Sequence, residues 1–192
     1  MDILNEVYSR FDAIVEDAGL WKVETVGDAY IVVGGLAVLS STAPPLRAVS
    51  ASELYSSVAH SKHSSDEMTA RINLDKIFHV AARMLDELTL LRKRFSLPLH
   101  MRIAVHYGDV VTGTIGSQRP RFCVLGQAVT EAEHVEATAQ VDCITCTYEA
   151  RHRYIASAFR FSEVHTELSP GHTASRSDRY PENRFHVSLH CE

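Results

Sequence analysis

The stretch Lys22 to Val33, read KVETVGDAYIVV, constrains this chain more than any other. Val23, Val26, Tyr30, Ile31, Val32 and Val33 are the β-branched and aromatic residues that favour strands, and Gly27 interrupts them where a hairpin would turn. Asp28 therefore falls at or just after a hairpin tip, where a carboxylate is poised to hold a metal ion. On this stretch alone, a Gly-Asp turn is more often only a turn.

The remaining periodicities describe one mixed α/β domain spanning residues 1–192. Ile3, Leu4, Val7, Tyr8, Phe11, Ile14 and Val15 recur at helical spacing and predict an amphipathic helix ending near Gly19. Residues 40–70 are rich in Ser, Ala and Pro without sustained periodicity, which predicts a surface insertion. Helical spacing resumes from Leu74 to Phe95 through Ile77, Val80, Ala81, Met84, Leu85, Leu88 and Leu91. Strands are expected at 101–106 and 110–115, joined by Tyr107-Gly108-Asp109, and again at 122–125. A helix follows through residues 129–139. No internal repeat is present.

Composition narrows the function classes. A chain of 192 residues, 45% hydrophobic and 22% charged, can bury a proper core. Its formal charge of −5 and the absence of a basic face argue against a nucleic-acid partner. The longest apolar stretch, Ala29 to Leu39, contains Gly34 and Gly35 and falls far short of the roughly 20 residues of a membrane helix. The chain is expected to be cytoplasmic without direct membrane contact, any anchor of a parent membrane protein lying outside it. Cys123, Cys143, Cys146 and Cys191 read as reduced thiols. Cys143-Ile144-Thr145-Cys146 lacks the second ligand pair that zinc requires and reads as a strand whose alternation buries small side chains. The 11 histidines form no metal-binding motif.

Two blocks carry a resemblance. Leu4 to Asp12, LNEVYSRFD, followed by KVETVGDAYIVVGGL, closely resembles the class III nucleotide cyclases, and within them the guanylyl cyclases. His100 to Glu136, HMRIAVHYGDVVTGTIGSQRPRFCVLGQAVTEAEHVE, is similar to the family's later hairpin, its PRYC-type strand and its NxVNxASR helix. The resemblance implies a ferredoxin-like α/β sandwich of the class III cyclase type. The family's central first strand, with its FxDIxxFT-like motif and first metal-binding aspartate, has no counterpart before Leu4. Asp2 and Asp12 lie on the opening helix, where surface solvation accounts for both.

The chemistry implied is attack of a ribose 3′-hydroxyl on the α-phosphate of GTP, giving cyclic GMP and pyrophosphate. In the family, two carboxylates hold a pair of Mg²⁺ or Mn²⁺ ions, and Asp28 matches the second of them. Guanine presents donors at N1 and N2, so a carboxylate such as Glu24 complements it, whereas adenylyl members carry Lys there. Cys123 matches the guanylyl-type Cys where adenylyl members carry Asp. Thr130 and His134 stand where the family has a ribose-orienting Asn and a charge-stabilising Arg, and a mostly neutral His cannot supply the bidentate fork of Arg. The family's late VKGKG-like loop is unrecognisable in residues 165–184, where Arg176 or Arg179 could substitute for its Lys. Residues 150–192 are accordingly read as a diverged C-terminal region. Family cyclases act as dimers with sites at the interface, so the expectation is a guanylate cyclase domain of intracellular signalling that works in a homo- or heterodimer. The alternative is a catalytically inactive pseudocyclase that dimerises with a cyclase partner and regulates it.

Overall fold

The computed structural model describes residues 2–36, 64–164 and 184–189. In chain order these form α1 (Asp2–Asp17), β1 (Trp21–Val26), β2 (Ala29–Val33), α2 (Ser64–Phe95), β3 (Ile103–Val105), β4 (Val111–Ile115), β5 (Arg121–Leu125), α3 (Gln127–Ala137), β6 (Ile144–Thr147), α4 (Tyr148–Arg153), β7 (Phe159–Glu163) and β8 (Arg184–Leu189). Most of the expected elements are present within a few residues of their predicted ends. The predicted insertion at 40–70 needs correction, because residues 64–70 belong to α2. Its remaining part, up to residue 63, lies outside the described residues.

The 32-residue α2 organises the packing because it carries two apolar stripes. Leu74, Phe78 and Ala81 recur at helical spacing and pack on Val105, Ile144, Cys146, Tyr154, Phe159 and Val187. Val80, Met84 and Leu91 form the second stripe, offset around the helix, and meet Val7, Phe11, Ile14 and Val15 of α1. Charged pairs border this helix contact: Arg10 bridges Glu6 and Glu87, Arg94 reaches Glu6 at 3.0 Å, and Arg83 meets Asp17 at 2.7 Å.

The main sheet has the order β3-β6-β8-β7, with β3 parallel to β6 and the other neighbours antiparallel. Ile144, Thr145, Cys146 and Thr147 are all buried. The expectation of one buried face is thus overturned: a strand with neighbours on both edges and helices packed against it has no solvent side. Cys146 sits fully inside, and burial pushes its thiol up to about 12, which leaves it inert. α4, β7 and β8 extend the fold through the region read as diverged.

β1–β2 and β4–β5 are separate antiparallel hairpins. Among the described residues, neither the outer edge of β2 nor the edge of β3 away from β6 has a ladder partner. Both strands nevertheless send side chains, Val32 and Ile103, into the same cluster beside α1 and α2. A two-stranded hairpin is marginal by itself, and among the described residues side-chain contacts join β1–β2 to α1 and α2.

Phe78 is fully buried, with the rings of Tyr154, Phe159 and Phe161 at 5.2, 5.7 and 5.6 Å. Phe78→Ala is expected to lower the unfolding free energy by about 3–5 kcal/mol through lost burial and an unfilled cavity. Equilibrium denaturation in urea, with an unchanged slope and a lowered midpoint, checks this.

Candidate functional site

Gly27 and Asp28 form the two-residue tip between Val26 and Ala29. Gly27 adopts φ +64°, a left-handed conformation that glycine takes without steric cost. Asp28 is exposed there, and its charge acts on the Tyr8 phenol of α1, which is raised above its ordinary value mainly by burial and then by Asp28. The Tyr8 hydroxyl donates to the Gly27 carbonyl at 3.4 Å.

The strands behind this tip are not in simple register. Lys22 pairs with Val32 and Glu24 with Ile31, so Val23 is an extra residue forming a β-bulge. The bulge separates the two charged side chains by face. Lys22 shares the face of Val32 and donates to Asp12 Oδ1 of α1 at 2.7 Å, while Glu24 accepts a hydrogen bond from the Arg121 guanidinium of β5. Tyr30 also donates to Asp12 Oδ1, at 2.5 Å, and the Lys22 ammonium lies 4.9 Å from the centre of the Tyr30 ring. Burial opposes ionisation of Asp12, but hydrogen bonds from Lys22 and Tyr30 and the Lys22 charge outweigh it and hold the carboxyl below the usual range. Solvation alone therefore does not account for Asp12, and that expectation is corrected: it is half exposed but tied to both strands of the hairpin.

Cys123 lies on β5, two residues beyond Arg121, and its thiol donates weakly to the Arg121 carbonyl at 3.6 Å. The Trp21 ring of β1 meets the Phe122 ring at 5.7 Å, and with the Glu24–Arg121 pair it brings β1 and β5 together. Glu24 and Cys123, 99 positions apart in sequence, thus stand on neighbouring strands. Arg121 does not stand out in the sequence; its signal is a cation two residues before Cys123 in PRFC.

Thr130 and His134 lie one turn apart on α3, Thr130 exposed and His134 partly buried. The loop before β4 abuts the start of this helix: a Cβ added at Gly108 would stand 2.9 Å from both Ala128 Cβ and His106 Nε2. Arg184, at the start of β8, donates to Thr138 beyond the end of α3, a reach not anticipated from the sequence. Arg176 and Arg179 lie outside the described residues. Among the described residues, no group of three or more His, Cys, Asp or Glu side chains could enclose a metal ion. Asp28 fits a divalent cation as a single hard oxygen ligand, and Asp12, occupied by Lys22 and Tyr30, does not complete a pair with it.

A carboxylate-tipped hairpin thus stands beside the strand that carries Cys123. The chain belongs to the family described as the adenylate and guanylate cyclase catalytic domain, whose model matches residues 1–175. It is 32% identical over 138 residues to guanylyl cyclase C of Mus musculus, which covers 72% of this chain and 10% of that protein. Receptor-type guanylate cyclase gcy-23 of Caenorhabditis elegans is 29% identical over 157 residues, 79% of this chain and 12% of that protein. The chain thus spans about a tenth of the length of these curated relatives. Among solved structures, the guanylate cyclase domain of RhGC from Catenaria anguillulae in complex with GTP superposes with TM-score 0.67 at 20% identity, covering 97% of this chain and 81% of that one. The adenylyl cyclase CyaB from P. aeruginosa gives 0.66 at 16% identity, over 97% and 81%. The fold is that of a class III cyclase, and it is common to domains named for either base. Divalent metals serve such domains generally.

His106 offers a pH test of the loop. Its Nδ1 lies 3.0 Å from Thr147 Oγ1, the hydroxyl that also caps α4, and burial pushes the imidazole below its ordinary value against the opposing charges of Glu149 and Glu131. The folded state thus binds this proton less readily than the unfolded chain. Stability is full above about pH 6.5, the unfolded value, and falls as the pH drops from there through the lowered folded value. The depressed carboxyls of Asp12 and Asp142 withdraw their stabilisation only at lower pH, below about 4. Thermal melts between pH 7.5 and 5 should show a falling melting temperature whose slope is reduced in His106→Gln; an unchanged slope would remove His106 as its source.

Proposed function

We propose that this chain is a guanylate cyclase domain that turns GTP into cyclic GMP and pyrophosphate as one member of a dimer. The observation that supports this most is the β1–β5 contact, in which Glu24 meets Arg121 of the strand that also carries Cys123. A carboxylate accepts from guanine N1–H and N2–H, and adenine, with an unprotonated N1, leaves that acceptor unpaired. Arg121 holds Glu24 by a charge-assisted hydrogen bond and so presents the carboxylate in a defined direction.

Asp28 is the carboxylate suited to hold Mg²⁺ or Mn²⁺ near the phosphates. When bound, such ions neutralise triphosphate charge and activate the attacking hydroxyl. The hairpin's own contribution is to hold the carboxylate on a turn whose backbone is tied to α1 through Tyr8. Trp21, Ile115 and Leu125 are each 49–50% exposed on the hairpins, apolar surface of the kind a second domain covers. The guanylyl cyclase domain of the RhoGC fusion protein from Blastocladiella emersonii, similar in fold, is described as a non-canonical dimer in one solved structure and as monomeric in another.

A second reading follows from α3. Thr130 and His134 replace the family's Asn and Arg, and losing one stabilising donor of this kind typically costs about 10² to 10³ in rate. A pseudocyclase, retaining fold and dimer surface while regulating a partner, accommodates that loss. It also accommodates a single metal carboxylate.

Competition binding and a cyclic GMP assay separate these. The chain should bind Mn²⁺–GTP in preference to Mn²⁺–ATP, and Glu24→Lys with Cys123→Asp should shift preference towards ATP. Alone it should make little cyclic GMP, and coexpression with a cyclase domain carrying the family's Asn and Arg should restore synthesis that Asp28→Ala abolishes. Equal affinity for both nucleotides, unaffected by the double change, would overturn guanine selection. GTP binding with no synthesis in any pairing would favour the regulatory reading.

A further inference from the structure

We propose that Asp12, through Lys22 and Tyr30, is the positioning residue of the β1–β2 hairpin and sets where Glu24 and Asp28 stand. The proposal rests on the reading of those two residues given above. It begins from topology: among the described residues, the hairpin shares no ladder with the main sheet. Among the described residues, backbone hydrogen bonds, the usual means of placing a strand to a fraction of an ångström, therefore do not tie it to the main sheet. Its position comes from side chains.

Three of those contacts come from one face of α1 and straddle the turn. Asp12 Oδ1 accepts from Lys22 on β1 at 2.7 Å and from Tyr30 on β2 at 2.5 Å, so one oxygen ties both strands, Tyr30 standing two residues from Val32, the ladder partner of Lys22. Tyr8, one helical turn before Asp12, donates to the Gly27 carbonyl at the tip. The two rings lie 5.5 Å apart, and Phe11 meets Tyr30 edge-on at 5.6 Å, so Tyr30 is also held from its apolar side. Hydrophobic contact alone would let the hairpin slide along α1. A doubly donated carboxylate does not, because hydrogen bonds weaken steeply with misalignment.

The bulge gives this tie its consequence for the site. With Val23 as the extra residue, Lys22 faces α1 while Glu24 faces β5, so fixing Lys22 on Asp12 fixes the opposite aim of Glu24 towards Arg121. The same tie, through Tyr30 two residues beyond Asp28, sets the height of Asp28. Asp12 touches neither nucleotide nor metal in this account and acts only through the hairpin.

The test uses the full chain, displacement of a fluorescent GTP analogue by GTP or ATP, and the electron paramagnetic resonance signal of Mn²⁺ titrated with GTP. Asp12→Ala removes the tie; Asp12→Asn keeps the shape and serves if the alanine variant does not fold. Asp17→Asn is the control, removing the 2.7 Å pair with Arg83 from the same helix at comparable or greater exposure. The Asp12 variants should weaken Mn²⁺–GTP binding by about 10- to 100-fold, the scale of a misplacement near 1 Å, and lower the GTP-over-ATP ratio. Asp17→Asn should leave that ratio alone. Asp12 variants that melt at lower temperature but keep the ratio and the Mn²⁺–GTP affinity would overturn the proposal, because a structural role alone moves only the melt. Glu24→Lys and Asp28→Ala distinguish the reading underneath: if neither alters binding, the assignment of the hairpin fails and the proposal falls with it, whereas an effect of those two without an effect of Asp12 defeats the proposal alone.

Discussion

Burial of α2 on two sides is the constraint from which the rest of the structure follows. Phe78 on one stripe is fully buried and Leu91 on the other nearly so, and no shorter or one-sided helix could close both clusters. One stripe covers the β3-β6-β8-β7 sheet and the other seats α1 and, through Tyr30 and Val32, the first hairpin. A side chain deleted from either stripe removes apolar contact and leaves a void, a loss of about 2–5 kcal/mol for a large residue against a total stability of about 5–15. The residues proposed to meet nucleotide stand on the hairpins, at the edge of this framework rather than within it.

That division accounts for what could be read from the amino-acid order. α1, α2 and α3 were legible because their apolar spacing survives burial, and the two hairpins because Gly27 and the β-branched runs mark them. β6 was misread in its exposure because a strand covered on both faces loses the alternation that signals a half-buried strand. Residues 64–70 were read as insertion because helical periodicity begins clearly only at Leu74, where packing on the sheet begins. α4, β7 and β8 were not anticipated at all: YEARHR is a single short helix capped by Thr147, and FRFSE and RFHVSL are short strands whose pairing is non-local.

For the site, residues were legible and relations were not. Glu24, Asp28 and Cys123 could be picked out from their motifs, but the Glu24–Arg121 pair joins residues 97 apart and leaves no local trace. Asp12 illustrates the same limit. On a helix that also carries Glu6, Glu16 and Asp17, nothing in composition separates the carboxylate that meets two strands from those that meet solvent or a neighbouring helix. Recognition and rate also part company here. The side chains proposed to select guanine, Glu24 and Cys123, stand on β1 and β5, while Thr130 and His134 occupy the α3 positions where the family resemblance implies charge-stabilising groups. Binding preference and turnover are separable free energies, since only interactions stronger in the transition state accelerate the step.

The bulge at Val23 ties these threads together. In an unbroken strand, Lys22 and Glu24 would share a face, because side chains alternate with a period of two. Both would then turn towards α1, or both towards β5, and one charge would lose its partner. An extra residue between them resolves the conflict at the cost of a single disrupted ladder position. Lys22 reaches Asp12, Glu24 reaches Arg121, and Thr25 opposite Tyr30 returns to the α1 side. The alternation VETV therefore gives the wrong facing for a reader who assumes a regular strand. The irregularity lies beside the position where a base would be selected, in keeping with bulges that re-aim one side chain while leaving the rest of a sheet in register.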